Sequence, residues 1–276
     1  MKQMKKLLAL LLSFGMLFVL AACSSTDNSA AEGDDWSYIE GNGTLKIGIT
    51  YFEPMNYIDD SGELVGFETE FAEAVCEKLG VTPEFVEINW DSKVMELEAK
   101  TIDCIWNGMT ITPELEEALT ISDPYIRNYQ VVVIRTADAD KYKTTADLAG
   151  ARIDAEAGSA GESTIIGENA DEYLAQAEYT SVTRQVDALL EVKTGAADAC
   201  VLDFVLAGAT VGQGDYSDLM VIPDLQLSVE EYGIGFRKDS TAAEKVDEAM
   251  QQLVSDGTLS SLAEKYDLGE LLIANQ

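Results

Sequence analysis

The chain is predicted to fold as an α/β protein of two lobes, each a mostly parallel sheet flanked by helices. Three observations carry this. Apolar runs of strand length alternate with segments whose apolar residues recur at helical spacing. The alternation starts afresh near residue 130, which makes two series rather than one. Residues of distinctive chemistry gather where strands end, at Thr50, Gly108 and Asp203, with Gly158 just beyond another end. Open parallel sheets bind ligands beyond the carboxyl ends of their strands.

The elements follow in order. Residues 44–50 (TLKIGIT) read as the first strand. Phe67, Phe71, Ala74, Val75 and Leu79 repeat at helix spacing and stop at Gly80, a natural C-cap. A strand over 82–88, a short helix over 91–99 and a strand over 102–106 come next. Pro113 opens another short helix, because proline fits the first turn, where its missing N–H is not needed. The second series begins with the apolar strand 130–134 (QVVVI). Residues 152–155 run as a strand into Gly158-Ser159-Ala160-Gly161 and a helix. Val186, Leu189, Leu190 and Val192 mark a helix stopped at Gly195, and strand 199–202 ends at Asp203. A late strand covers 232–236, and Ala243, Val246, Met250, Leu253 and Val254 form the apolar face of a C-terminal helix.

The start of the chain is different. Lys2, Lys5 and Lys6 precede an almost wholly apolar run of 16 residues, 7–22. That is shorter than the roughly 20 residues a membrane-spanning helix needs, and it reads as a secretion signal. Leu20-Ala21-Ala22-Cys23 resembles a bacterial lipobox, which makes Cys23 the expected acylated first residue of the mature chain. The segment after Cys23 is small, polar and acidic, the composition of a flexible tether, expected over 23–43, with Trp36 read as tether-proximal.

Composition narrows the function classes. The formal net charge is −32, and the leader lysines are among the few cations, so the mature surface repels nucleic acid and anionic lipid headgroups. There is no histidine, the commonest general base and metal ligand, so neither a metal nor a cofactor is expected. Cys76, Cys104 and Cys200 remain beyond Cys23; three is odd, no CxxC occurs, and buried free thiols are the simplest reading. Trp106 is read as core packing.

The strand ends carry a resemblance. Tyr51-Phe52-Glu53-Pro54, Leu64-Val65-Gly66-Phe67-Glu68, Ile88-Asn89-Trp90-Asp91, Gly108-Met109-Thr110-Ile111-Thr112, Ser122-Asp123-Pro124-Tyr125, Asp147-Leu148-Ala149-Gly150, Ala157-Gly158-Ser159, Ala197-Asp198-Ala199 with Asp203, and Tyr232-Gly233-Ile234 appear in this order. Singly each is weak. Together, over nearly all of residues 44–270, the chain resembles the family-3 extracellular solute-binding proteins, the receptor components of polar amino-acid ABC transporters. The resemblance implies a type II periplasmic-binding-protein-like fold whose two lobes are joined by two hinge strands, near 125–130 and 227–232. It implies lobe 1 over 44–128, lobe 2 over 129–228 and a return to lobe 1 over 229–276. It also implies a monomer that hands its small-molecule ligand, an amino acid or amine, to an ABC permease and ATPase at a membrane it joins through the lipid anchor.

The resemblance assigns roles. Asp203 matches the aspartate that takes the ligand's ammonium, with the Gly108 carbonyl and the Thr110 hydroxyl as neutral partners. Ser159 and Ala160 begin a helix whose free N–H groups face an anion. Tyr51, Phe52 and Trp90 match aromatic positions that flank the ligand side chain. One departure stands out. The family's Thr-x-x-Arg, whose arginine forks onto the ligand carboxylate, is here Thr112-Pro113-Glu114-Leu115. Glu156 adds an acid where a neutral or basic residue is frequent. Three readings stay open: an amino-acid ligand with Lys93 or Arg127 substituting for the arginine, a cationic amine with no α-carboxylate, or a weak binder. A dehydratase-like enzyme on the same fold, with Glu156 as its acid, is the alternative from another class. An acidic cleft would repel the anionic substrates of such an enzyme.

Overall fold

The computed structural model describes residues 34–274. The expected signal peptide, the lipid-bearing Cys23 and the first part of the tether lie outside the described residues. Among the described residues twelve strands are numbered in chain order. β1 is Thr44–Ile49, β2 Tyr57–Ile58, β3 Leu64–Val65, β4 Thr82–Glu87, β5 Cys104–Ile105 and β6 Leu119–Ile121. β7 is Ile126–Arg135, β8 Arg152–Glu156, β9 Glu178–Val182, β10 Ala199–Asp203, β11 Leu219–Tyr232 and β12 Gly235–Arg237. The first sheet has the order β4-β1-β5-β12-β6 and the second β11-β7-β10-β8-β9, with β2 and β3 forming a small hairpin. β1 lies parallel to β4 and β5, and β8 lies parallel to β9 and β10. β6 and β12 run antiparallel in the first sheet, as β7 and β11 do in the second. These antiparallel members are the strands by which the chain passes between sheets.

β7 and β11 are the long strands, paired from Tyr232↔Ile126 to Leu219↔Arg135 with two register shifts. At their first-sheet end, Tyr125 N donates to Tyr232 O at 3.0 Å, and Ile273 N donates to Tyr125 O at 3.0 Å. The C-terminal segment thus returns to the first lobe, and the helix Ala242–Ser255 packs there on the helix Phe67–Leu79. That second helix buries Phe67, Phe71, Ala72, Val75 and Cys76 and ends at Gly80 in the left-handed region (φ 72°), as its spacing predicts. Trp106 is fully buried, edge-on to Phe71 at 4.9 Å between ring centroids. Cys76, Cys104 and Cys200 are buried free thiols.

Two expectations change. The tether does not reach residue 43, because the helix Asp35–Asn42 stands there. Asp34 caps it by accepting from Ser37 N, Ile39 is fully buried in the core, and the Asp35 carboxylate accepts from Ser240 Oγ and Thr241 N. Trp36, read as tether-proximal, is instead part of this helix, packs partly buried on the core and donates its N–H to Thr241 Oγ1 at 3.2 Å. The strand expected over 232–236 is split, since β11 ends at Tyr232 and β12 begins at Gly235. The chain changes sheets between them. A Cβ on Gly233 would stand 2.7 Å from Ile121 Cγ2, so only glycine permits that close crossing.

Candidate functional site

The strand ends converge on a cavity of about 270 Å³ between the two sheets. Its first-lobe wall comes from the ends of β1 and β5. Thr50 Oγ1 donates to Asn107 Oδ1 at 2.6 Å, and Asn107 Nδ2 donates back to Thr50 O at 2.8 Å. Gly108 follows with φ 55°; a Cβ there would lie 2.8 Å from Phe52 Cζ. Its N–H donates to both oxygens of the fully buried Glu68, at 2.8 and 3.0 Å, and the Tyr125 hydroxyl donates to the same carboxylate. Burial pushes Glu68 up to about 7. Phe52 and Trp90 line the cavity, as does Leu115, whose N–H donates to the Thr112 hydroxyl at 3.2 Å as the helix Pro113–Ala118 begins.

The second-lobe wall is built from the ends of β8 and β10. Asp203 occupies the N-cap position of the helix Phe204–Thr210 but makes no capping bond. Its carboxylate turns inward, accepting from Asn128 Nδ2 at 2.7 Å, from Gln130 Nε2 at 2.6 Å and from Gln185 Nε2. Desolvation raises its pKa and these donors oppose the rise. Glu156 is buried at the end of β8, with Oε1 lacking a hydrogen-bond partner. Burial first, and the Asp203 charge second, push it up to about 8, against the pull of Lys93. Ser159 caps the helix Ala160–Ile166, its Oγ accepting from Glu162 N at 3.1 Å.

One side chain ties the two walls. Lys93 Nζ donates to Gly158 O at 2.9 Å and to Trp90 O at 3.3 Å, and lies 4.7 Å from the centre of the Trp90 ring. Burial lowers its pKa while Glu156 and Asp91 oppose that. The lobes touch beside it: a Cβ on Gly158 would stand 2.9 Å from Asp91 Cα.

Of the sequence-derived residues, Phe52, Trp90, Gly108, Thr110, Glu156, Ser159, Ala160 and Asp203 all line this cavity. Tyr51 does not; its ring packs partly buried against the main core. Of the two cations considered in place of the family arginine, Lys93 lines the cavity, whereas Arg127 is exposed on β7 and borders a different depression. Sequence reasoning missed Gln185, Asn128, Gln130 and Glu230. Gln185 could have been found: it shares a helical stripe with the buried Ala188, Leu189 and Val192, where a polar side chain needs a partner. Among the described residues no cluster of acids and cysteines is arranged to hold a metal ion, and no helix is long and apolar enough to cross a membrane.

Two sheets joined by paired long strands, with a ligand-sized cleft at the strand ends, define a two-lobed type II periplasmic-binding-protein-like fold. Residues 45–270 match the bacterial extracellular solute-binding proteins, family 3, and the chain belongs to that family. It is 30% identical over 268 residues to the arginine-binding extracellular protein ArtP of Bacillus subtilis, covering 97% of this chain and 100% of that one. It is 26% identical to the L-cystine-binding protein TcyJ of Escherichia coli, over 91% and 93% of the two chains. An ABC uptake transporter substrate-binding protein from Streptococcus pneumoniae, solved with bound histidine, superposes with a TM-score of 0.77 at 32% identity, over 85% of this chain and 96% of that one. The family acts outside the cytoplasm, in ABC importers, and these relatives bind amino acids.

Proposed function

We propose that this protein captures a polar or cationic amino acid between its lobes and delivers it to the permease and ATPase of an ABC importer, held at the membrane by acyl chains on Cys23. The observation that carries the reading is the inward-turned Asp203, an acid that lines the cavity and is held by neutral amides. A buried carboxylate without a cation favours a ligand that brings one, since unpaired burial of either ion costs several kcal/mol. The ligand ammonium would meet Asp203, with Gly108 O and the Thr110 hydroxyl as further acceptors. Its carboxylate would face the remaining N–H of Lys93, the Ser159 hydroxyl and the Ala160 amide, the Ser159 N–H being given to Glu156 O at 3.2 Å. Its side chain would lie between Phe52 and Trp90, with Glu156 at hand for a second positive group.

A second reading has its own support. Leu115 replaces a carboxylate-binding arginine and Glu156 is a buried acid with an unpartnered oxygen, and both favour a cationic amine without an α-carboxylate. A thermal-shift panel of amino acids and their decarboxylated amines tests both, because a ligand bound only by the folded state raises its stability by mass action. The amino acids are expected to raise the melting temperature and Asp203→Asn to abolish the rise. Silence across the whole panel overturns the ligand reading.

A further inference from the structure

Asp203 has a companion that does not line the main cavity. Glu230 lies on β11 where it runs beside β7, and it is buried. Asn128 Nδ2 donates to Asp203 Oδ1 at 2.7 Å and to Glu230 Oε1 at 2.6 Å. Gln130 Nε2 donates to the same two oxygens at 2.6 and 2.5 Å. Each amide nitrogen has two hydrogens, and each spends one on either acid. The two carboxylates are therefore held side by side against the same pair of neutral donors. The Thr110 hydroxyl takes the other oxygen of Glu230 at 2.9 Å, and Gln185 takes the other oxygen of Asp203.

The groups around the pair do not neutralise it. β11 also contributes Tyr232, fully buried, whose neutral hydroxyl faces Asp203 and opposes the rise that burial causes there. The helix Phe67–Leu79 contributes Glu68 and β8 contributes Glu156, both acids. The helix Gln185–Thr194 offers neutral Gln185 and, toward Glu156, Asp187. Lys93, the cation at the cavity, is turned to the carbonyls of Gly158 and Trp90. Of two adjacent carboxylates removed from water, the ionisation of one makes the second harder to ionise, so the pair holds its last proton to higher pH than either acid would alone.

We propose that Asp203 and Glu230 share one proton in the empty protein and that a cationic ligand replaces it, so that capture exchanges a proton for a positive charge. The carboxylic O–H bond breaks, the proton passes to solvent, and the freed carboxylate of Asp203 pairs with the incoming ammonium. The net charge of the pair with its occupant is −1 before and after, so the two acids never stand as two buried anions without a cation between them. Glu230 is a positioning residue here, acting on the ligand through Asp203. Burial raises both acids above the usual range, and the Asp203 charge adds to the rise of Glu230, to about 7. The inference rests on the cationic-ligand reading above.

Two measurements test it separately from that reading. The first is calorimetric titration with L-arginine, L-lysine, L-histidine and putrescine in buffers of different ionisation heat. With any of these that binds, it is expected to show about half to one proton released per ligand near pH 7, and a smaller release in Glu230→Gln. Binding without proton release, or with the same release in Glu230→Gln, overturns the exchange while leaving the ligand reading intact. The second needs no ligand: ¹³C NMR titration of the side-chain carboxyls in the empty protein. Asp203 is expected to titrate well above an ordinary aspartate and to fall by a pH unit or more in Glu230→Gln. An Asp203 titration that ignores that substitution overturns the pairing, even where no member of the panel binds.

Discussion

At the scale of single residues, the cleft is governed by where charge is and is not compensated. Leu115 contributes an apolar wall where the family resemblance expects a forked cation, and it packs partly buried beside Trp90, Ile105 and Met109. The helix it sits on is intact, with the Thr112 cap and Pro113 in the first turn, so the position can be changed without disturbing the local backbone. Leu115→Arg is expected to favour α-amino acids over their decarboxylated amines by about tenfold, because a guanidinium binds a carboxylate through two parallel bonds and repels an amine. Paired dissociation constants for arginine and agmatine in both proteins measure this. An equal effect on the two ligands would mean that no carboxylate comes near residue 115. The same position shows what a sequence can and cannot convey. The loss of the arginine is legible in Thr112-Pro113-Glu114-Leu115, and so is the candidate aspartate at the end of a strand. That Lys93 and not Arg127 reaches the cavity was not legible, because it depends on a short helix turning one side chain across the gap to Gly158. Nor was it legible that Phe52, buried in the core, would line the cleft while its half-buried neighbour Tyr51 would not.

At the scale of elements, most local structure followed from spacing and caps. The helix Phe67–Leu79 and the strand Ala199–Asp203 lie within one residue of their sequence-derived bounds, because each has an uninterrupted pattern and a clear stop. β9, β6 and the docked helix Asp35–Asn42 escaped, since each owes its place to partners distant in sequence. β9 has mostly half-buried or exposed residues and is fixed by its parallel pairing with β8. The turn between β8 and the helix Ala160–Ile166 is where local geometry meets closure of the cleft. Gly158 has φ 71° and lies against Asp91 of the opposite lobe. An alanine there meets a left-handed backbone, at a cost of about 1–2 kcal/mol, and a methyl group aimed at a main-chain atom of the other lobe. Because that second contact exists only when the lobes meet, Gly158→Ala is expected to weaken amino-acid capture by about tenfold or more, with a much smaller effect on the melting temperature of the empty protein. Calorimetric titration beside a thermal melt separates the two. A variant that binds as tightly as the parent would show that closure does not bring these backbones together.

At the scale of the whole molecule, the large negative charge is not spread evenly in its consequences. Surface carboxylates stay in water, but Glu68, Glu156 and Glu230 are drawn to one region by the two lobes and the hinge strands, and burial is the first cause of each raised pKa, to about 7, 8 and 7. Asp154, buried elsewhere, and the half-buried Asp247 rise to about 6, with desolvation again the first cause. In the unfolded chain all five would titrate near 4. Between those values and the folded ones the native state holds more protons than the unfolded state, so the slope of unfolding free energy against pH is negative. The empty protein is therefore expected to be most stable in mild acid and to lose stability steadily as pH rises from about 5 to about 8, the opposite of the behaviour set by salt-bridged carboxylates. Asp256, whose bonds from Thr258 and Lys78 lower it to about 2, works in the other direction, but its contribution is lost only in strong acid, outside this window. A cationic ligand should reverse the trend, since it supplies the compensation that protons provide in its absence; the ligand's increment to the melting temperature is expected to grow as pH rises. Melts at constant ionic strength from pH 5 to 8.5, with and without arginine, measure both slopes. Should the empty protein instead gain stability across that range, the buried acids must be ionised and compensated in the fold, and the electrostatic account of the cleft would have to be replaced.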